Sequence, residues 1–197
     1  MTMSYFGYGS LVNVRTLAPA ARAQPGCLSG WVREWRIWGT GELGRGVCAL
    51  TVAPAAGTTL RGVRIDEPAQ GLDALLARER KYDRIDGIGA AFRHDADAAP
   101  GPQDMFLFRS RPEHYGWGDD DHPILQSYLD CVLAGFHAFW GEAGIVHFLQ
   151  TTDGWHVPIL KDRDAPVYPR AIALDPALRE AIDDLLSDQR VRYLSAG

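Results

Sequence analysis

The first half of the chain consists of short strand-like runs, and this pattern limits the folds that the chain can adopt. Runs rich in aromatic and β-branched residues alternate with glycine and proline turns, which is typical of strands joined by loops. The predicted strands cover residues 4–8, 28–38, 47–52, 60–65, 85–94 and 105–109. We therefore expect most of the sheet to precede the longest helix.

Helices are predicted where apolar residues return at helical spacing. Leucines followed by Glu79 at the i, i+3, i+4, i+7 positions predict a helix over residues 72–79, and residues 66–68 supply acidic and proline start signals. A long helix is predicted after Pro123, and a last helix starts near Pro176. The sequence predicts an α+β fold in one domain, residues 1–197.

A glycine-rich turn near the start is the first candidate binding site. Residues 5–11 read Tyr-Phe-Gly-Tyr-Gly-Ser-Leu, a strand broken at Gly9 and Ser10, after which Asn13 can cap a short helical turn. Glycine lets backbone N–H groups converge on a carboxylate or phosphate. The spacing does not fit a P-loop, a dinucleotide fingerprint or a nucleophile elbow. A tight surface turn without a ligand explains the same residues.

Glu79 is the candidate acid or base. On the apolar helix face its carboxylate should be desolvated, which raises its pKa toward the range useful in proton transfer. The same spacing predicts that Arg78 and Arg80 point away from that face. Alternatively, Glu79 lies in the last helical turn and pairs with Lys81 or Arg84. The spacing favours neither interpretation.

Composition excludes several functional classes. The formal charge is −5 with no run of lysine or arginine, so no nucleic-acid partner is expected. No signal peptide or membrane-length apolar stretch is present, so no membrane partner is expected. Cys27, Cys48 and Cys131 are odd in number and scattered, which favours a reducing, cytoplasmic location. The sequence does not indicate an oligomeric state.

Other polar clusters have simpler structural explanations. The acidic residues at 119–122 lack the spacing of a calcium loop and are predicted to cap the helix after Pro123. The histidines lack the i, i+4 pairing of a zinc helix, so no metal site is predicted. The loop-rich stretch 151–170 could fold over a pocket and set its specificity, or form a structural edge.

Three segments, in order along the chain, resemble the γ-glutamylcyclotransferase-like superfamily, which includes the AIG2-like and ChaC-like proteins. They are FGYGSL at 6–11, LSGWVREW at 28–35 and LDALLARERKY at 72–82. The sequence departs from the family at Arg80, where many members have glycine, and at Trp31 and Val32, where Tyr-Arg is commoner.

The resemblance implies a fold and a set of functional residues. The fold is a small mixed, mainly antiparallel β-barrel flanked by helices. In the family, a Tyr-Gly-Ser-Leu loop binds the γ-glutamyl group and a glutamate in an R-E-x-x-Y stretch is the acid/base. Those positions here are Tyr8, Gly9, Ser10 and Leu11, preceded by Gly7, and Glu79. Tyr128 lies in a proline-led helix resembling one that places a tyrosine near the substrate in some members.

The implied reaction is cleavage of a small-molecule γ-glutamyl amide to 5-oxoproline and a free amine, without a cofactor. The hydroxyl of Tyr8 or Tyr128 could stabilise the oxyanion, although Tyr128 is also explained by packing in its helix. A non-catalytic protein that binds a carboxylate or γ-glutamyl ligand is the alternative. A carboxylate-pair hydrolase using Glu79 with Asp83 or Asp86 is a third hypothesis. The leaving group stays open among glutathione, γ-glutamyl amino acids, γ-glutamyl amines and protected metabolites.

Overall fold

A computed structural model describes residues 1–40 and 46–195. These residues form a mixed α+β fold. The strands are Thr2–Gly7 (β1), Arg22–Thr40 (β2), Gly46–Pro68 (β3), Tyr82–Ile85 (β4), Phe92–His94 (β5), Leu107–Ser110 (β6), Ile124–Leu125 (β7), Thr152–Asp153 (β8), Ile159–Lys161 (β9) and Tyr193–Ser195 (β10). The α-helices are Leu72–Arg78 (α1), Gln126–Trp140 (α2), Glu142–Gln150 (α3) and Pro176–Asp188 (α4).

The main sheet is built around the antiparallel pair β2–β3. Its strand order is β10-β9-β7-β3-β2-β5, with β1 antiparallel to β3 and β8 parallel to β2. The pair β4–β6 forms a second sheet, which attaches to β1 where Phe6 N–H donates to Phe106 O at 2.8 Å. The predicted α+β class and mainly antiparallel sheet are confirmed. In the described ranges no pairing joins β10 to β5 to close a barrel.

The predicted strands 47–52 and 60–65 belong to one long strand, β3. The register with β2 passes from Trp31↔Pro54 to Ser29↔Thr59, so residues 55–58 bulge from the ladder. Gly57 has φ +81°, which glycine adopts readily, and the Thr58 hydroxyl donates to Ala55 O at 2.6 Å. The turn signal in the sequence is therefore a bulge rather than a strand end.

Helix α2 forms the centre of the core. Every residue from Gln126 to Leu133 is buried, and the ring of Trp35 in β2 packs against Tyr128, with centroids 5.9 Å apart. The predicted helix after Pro123 is thus present, but it starts at Gln126 because Ile124–Leu125 pair as β7. No helix in the described part of the chain is long and apolar enough to span a membrane.

Three local predictions are wrong. Residues 66–68 end β3 and do not begin a helix, because Asp66 pairs with Ser4 of β1 in the ladder. The predicted strand 85–94 is divided into β4, a 3-10 turn at Gly89–Ala91, and β5. The acidic turn at 119–122 caps itself, with Asp119 Oδ1 accepting from His122 N–H at 2.8 Å, and does not cap α2.

Candidate functional site

The glycine turn follows β1 directly and leads into a 3-10 turn at Ser10–Val12. A Cβ at Gly7 would lie 2.9 Å from Leu11 Cβ, so this close approach requires glycine. Leu11 is buried in the core, and the Tyr8 hydroxyl donates to Phe108 O at 2.7 Å. The Asn13 side chain caps the next 3-10 turn by accepting from Arg15 N–H, as predicted. The turn is therefore fixed at both ends.

Backbone N–H groups remain available inside this turn. No acceptor within residues 1–40 and 46–195 pairs with the N–H groups of Gly9, Ser10 and Leu11. Unpaired, adjacent N–H groups in a tight turn have the chemistry of an anion-binding nest. The turn lines a small cavity of about 30 Å³.

Glu79 lies at the end of α1 and not on its apolar face. The helix ends at Arg78, and the Glu79 N–H donates to Leu75 O at 2.9 Å as the C-cap. Leu76, expected on the shared apolar face, is 42% exposed. Leu75 is buried and the adjacent Leu76 is not, so the apolar side of the helix is narrower than the spacing predicted. Glu79 reaches the interior from the C-cap position, where the backbone leaves the helix. The Glu79 side chain is 12% exposed.

Arg78 points toward the site, contrary to the prediction. Its Nε lies 3.1 Å from Glu79 Oε1, its Nη1 donates to Thr16 O at 2.7 Å, and its Nη2 donates to Ser10 Oγ at 3.2 Å. One guanidinium thus joins Glu79 to the glycine turn. Burial raises the pKa of the Glu79 carboxyl above its ordinary value, and Arg78 and Arg170 oppose that shift.

Two adjoining cavities meet at Glu79. The larger has a volume of about 180 Å³ and the smaller, beside the glycine turn, about 30 Å³. Both are lined by Ser10, Glu79, Tyr82 and Tyr128. A single water needs about 10–15 Å³ on this scale, so the smaller space suits a group of a few atoms and the larger a small organic ligand.

Tyrosine hydroxyls surround the junction. Burial raises the pKa of Tyr8, Tyr82 and Tyr128 well above the ordinary value of 10.0, so all three stay protonated. The Tyr82 hydroxyl donates to Leu50 O at 2.8 Å. The Tyr128 hydroxyl would lie 3.3 Å from a Cβ at Gly9, so a glycine lets the turn approach it. Tyr128 therefore combines the packing role with a place in the cavity wall.

One wall of the larger cavity comes from residues 167–170, within the loop-rich stretch 151–170. Asp162 holds this wall: its carboxylate accepts from Ser127 N–H at 2.8 Å, Ser127 Oγ at 2.5 Å and Val167 N–H at 2.9 Å. The ring of Tyr168 packs on Tyr128 with centroids 5.0 Å apart. The hypothesis that this stretch lies over a pocket agrees with this placement.

The carboxylate-pair hypothesis does not agree with the geometry. Asp83 pairs with Arg111 at 3.3 Å and Asp86 with Arg84 at 2.6 Å, and both carboxylates are exposed. Neither lines the cavities at Glu79. Within the described ranges, no three His, Cys, Asp or Glu side chains are grouped closely enough to hold a metal ion.

Sequence reasoning missed the part that Arg78, Tyr82 and Arg170 play in the site. Arg78 and Tyr82 lie within the R-E-x-x-Y stretch, which was the available signal for them. Arg170 reaches the site through a loop far away in sequence. The sequence indicated only that the stretch 151–170 could fold over a pocket, and it did not single out Arg170 within that stretch.

Neither a protein-family model nor a curated protein sequence matches the chain. Several solved structures do match it. A γ-glutamyl cyclotransferase superposes with a TM-score of 0.56 at 13% identity, covering 93% of this chain and 99% of the other. An uncharacterized protein from Homo sapiens gives 0.56 at 13% identity, covering 92% and 98%. YkqA from Bacillus subtilis gives 0.52 at 17% identity, covering 78% and 56%. The chain therefore has the γ-glutamyl cyclotransferase-like fold.

Proposed function

We propose that this protein is a cofactor-independent γ-glutamylcyclotransferase, with Glu79 as general acid and base. The observation that carries the proposal is the placement of Glu79: a desolvated carboxylate at the junction of two cavities, joined by Arg78 to a turn with unpaired N–H groups. A small γ-glutamyl compound brings an α-carboxylate, an α-ammonium and a γ-amide on one short chain. The site offers a partner for each.

The reaction begins with substrate placement. The N–H groups of Gly9, Ser10 and Leu11 bind the α-carboxylate in the smaller cavity, which brings the α-ammonium toward Glu79. Glu79 accepts one proton from the α-ammonium. The freed amine then attacks the γ-carbonyl carbon, and the hydroxyl of Tyr128 donates to the oxygen that develops negative charge.

Collapse of the tetrahedral intermediate breaks the γ-amide C–N bond. Glu79 returns its proton to the departing nitrogen, and the ring nitrogen, which still carries two hydrogens, gives up one of them to the amine that has just left, directly or through solvent. The products are therefore 5-oxoproline and the protonated amine. The opposed effects of burial and Arg78 on the pKa of Glu79 suit a group that must both accept and donate a proton. A cytoplasmic location is part of the same proposal.

The test is release of 5-oxoproline from glutathione, γ-glutamyl-alanine and γ-glutamyl-ε-lysine by the native protein and by Glu79→Gln. We expect turnover of at least one compound and a loss of kcat of roughly 10²–10⁴-fold in the variant. The matched control is Glu67→Gln, because Glu67 is also buried with a raised pKa but hydrogen-bonds Tyr5 away from both cavities. It should keep its activity.

The alternative is a protein that only binds a carboxylate or γ-glutamyl ligand. Calorimetric measurement of binding, with the same compounds, distinguishes this alternative from the enzyme. Binding by both native protein and Glu79→Gln, with no 5-oxoproline from either, would replace the enzyme with the binding protein. Turnover that persists in Glu79→Gln would remove Glu79 from the mechanism.

A further inference from the structure

The larger cavity extends beyond Glu79, away from the glycine turn, and this part has its own chemistry. Its walls there are largely apolar, formed by Ile37, Val47, Ala49, Leu125, Val167 and Pro169. In the proposed reaction, this is where the departing half of the substrate lies, because the γ-glutamyl half occupies the space beside the turn.

The same cavity has a strong excess of positive charge. Arg78, Arg80, Lys81 and Arg170 line it, and among the lining residues that the structure describes Glu79 is the one carboxylate. Arg78 is committed to Glu79 and Ser10. Arg80 and Arg170 are exposed, and neither forms an ion pair with any carboxylate in the part of the chain that the structure describes. Two guanidinium groups are thus available beside an apolar wall.

We propose, on the basis of the proposed function, that the leaving group carries an apolar side chain and a free carboxylate, and that Arg170, assisted by Arg80, binds that carboxylate. Guanidinium groups bind carboxylates through paired N–H donors, and the apolar wall accepts the side chain. The class is therefore a γ-glutamyl derivative of an apolar amino acid or of a short peptide ending in a carboxylate. An uncharged or cationic amine meets either no partner or repulsion at the cavity mouth.

Position supports Arg170 as the principal residue. It lies at the end of the wall that Asp162 anchors, and it lines the same cavity as Glu79. Arg80 follows Glu79 directly in the chain and lines the same cavity. Both side chains can move toward a bound carboxylate without breaking an ion pair to any residue within 1–40 or 46–195.

The experiment compares γ-glutamyl-leucine with γ-glutamyl-leucinamide, which differ only in the carboxylate. We expect the native enzyme to favour the acid by roughly tenfold or more in kcat/KM, mainly through KM. Arg170→Met should reduce this ratio severalfold, and Arg170→Glu should invert it. The ratio should shrink in 0.5 M salt because the guanidinium is exposed. Arg179→Met, an exposed arginine in α4, is the control and should leave the ratio unchanged.

The outcomes separate this proposal from the one on which it rests. Equal turnover of the two compounds, or a ratio that survives in the Arg80→Met/Arg170→Met double variant, overturns the leaving-group assignment while the cyclotransferase stands. Folded protein that releases 5-oxoproline from neither compound, nor from the wider panel, overturns both. Thermal melting of each variant identifies any that fails to fold. A binding measurement with the acid and amide on Glu79→Gln, which retains both arginines, then decides the question without turnover.

Discussion

The Glu79 carboxyl is subject to two opposed influences, and their balance determines what it can do. Burial favours its neutral form, whereas the Arg78 guanidinium at 3.1 Å favours the charged form. Arg78 also bonds Ser10 and Thr16, so its position is set by the glycine turn and not by Glu79 alone. Arg78 is therefore a positioning residue, with both a geometric and an electrostatic effect on the acid.

Replacing Arg78 should change the pH dependence as well as the rate. In Arg78→Met the pKa of Glu79 rises further, so the acid limb of the kcat/KM profile moves to higher pH and activity at pH 6 falls by at least roughly tenfold. Arg78→Lys keeps the positive charge but lacks the paired N–H donors of the guanidinium, so the pKa of Glu79 should rise less than in Arg78→Met. If activity fell by the same factor at every pH and the acid limb of the kcat/KM profile did not move, Arg78 would be a structural contact only.

Single residues differed in how far the sequence could predict them. The spacing of apolar residues placed Glu79 near the interior, but by the wrong route, because the short helix ends before it. The partner of Glu79 is its neighbour Arg78, which a helical spacing assigns to the opposite side. Adjacent residues face one another here because the backbone leaves the helix between them, and periodicity does not report where a helix ends.

At the scale of elements, the cavity wall at 167–170 depends on one buried carboxylate. Asp162 accepts three hydrogen bonds, from the N–H and hydroxyl of Ser127 at the start of α2 and from Val167 N–H. The wall is thereby tied to the helix that carries Tyr128.

Asp162→Asn should loosen this wall. An amide has one acceptor oxygen and a donor group that cannot accept from Val167 or Ser127, so at least one buried donor loses its partner, at a cost of about 1–3 kcal/mol. We expect a lower melting temperature and a severalfold higher KM with a smaller change in kcat. Asp164→Asn, an exposed aspartate in the same stretch, is the control. An unchanged KM would mean that the wall does not contact the substrate.

The bounds of helices and strands were predictable where residues within the element determine them. The last helix starts at Pro176, as predicted, and Asp175 caps it by accepting from Leu178 N–H at 3.0 Å. Strand β3 was divided in the prediction because Pro54 and Gly57 read as a turn, whereas pairing with β2 on both sides of the bulge keeps the strand continuous. Helix α3 follows α2 after the single residue Gly141, with φ +59°, and its short apolar pattern gave no separate signal.

At the scale of the whole molecule, a buried cation joins the sheet to the helices. Arg33 in β2 is fully buried, donates to Thr151 Oγ1 at 2.9 Å and Arg61 O at 2.6 Å, and lies 4.8 Å from the ring centre of Phe148. Burial lowers its pKa to about 9. It still carries its charge at neutral pH, and that charge acts on the nearby His147 in α3.

His147 should make the stability of the whole fold depend on pH. Burial, followed by Arg33 and Arg61, lowers its pKa from 6.5 to about 4. The unfolded chain therefore binds a proton that the folded chain does not, so stability is complete above pH 6.5 and is lost as pH falls toward 4. The full shift corresponds to about 3 kcal/mol, and because His147 is only half buried, solvent screening reduces this to about 1–2 kcal/mol.

The measurement is the free energy of unfolding in denaturant at several pH values between 4 and 7. His147→Gln has no ring to protonate and keeps the side chain polar, so its free energy of unfolding should fall by about 1–2 kcal/mol less than that of the native protein over this range. His137→Gln is the matched control, because His137 is exposed on α2 and its replacement should leave the pH dependence intact. Identical pH dependence in the native protein and His147→Gln would mean that the folded state accommodates a charged imidazole between α3 and the Arg33 side chain. The field of the buried arginine would then be too weak to influence the rest of the molecule.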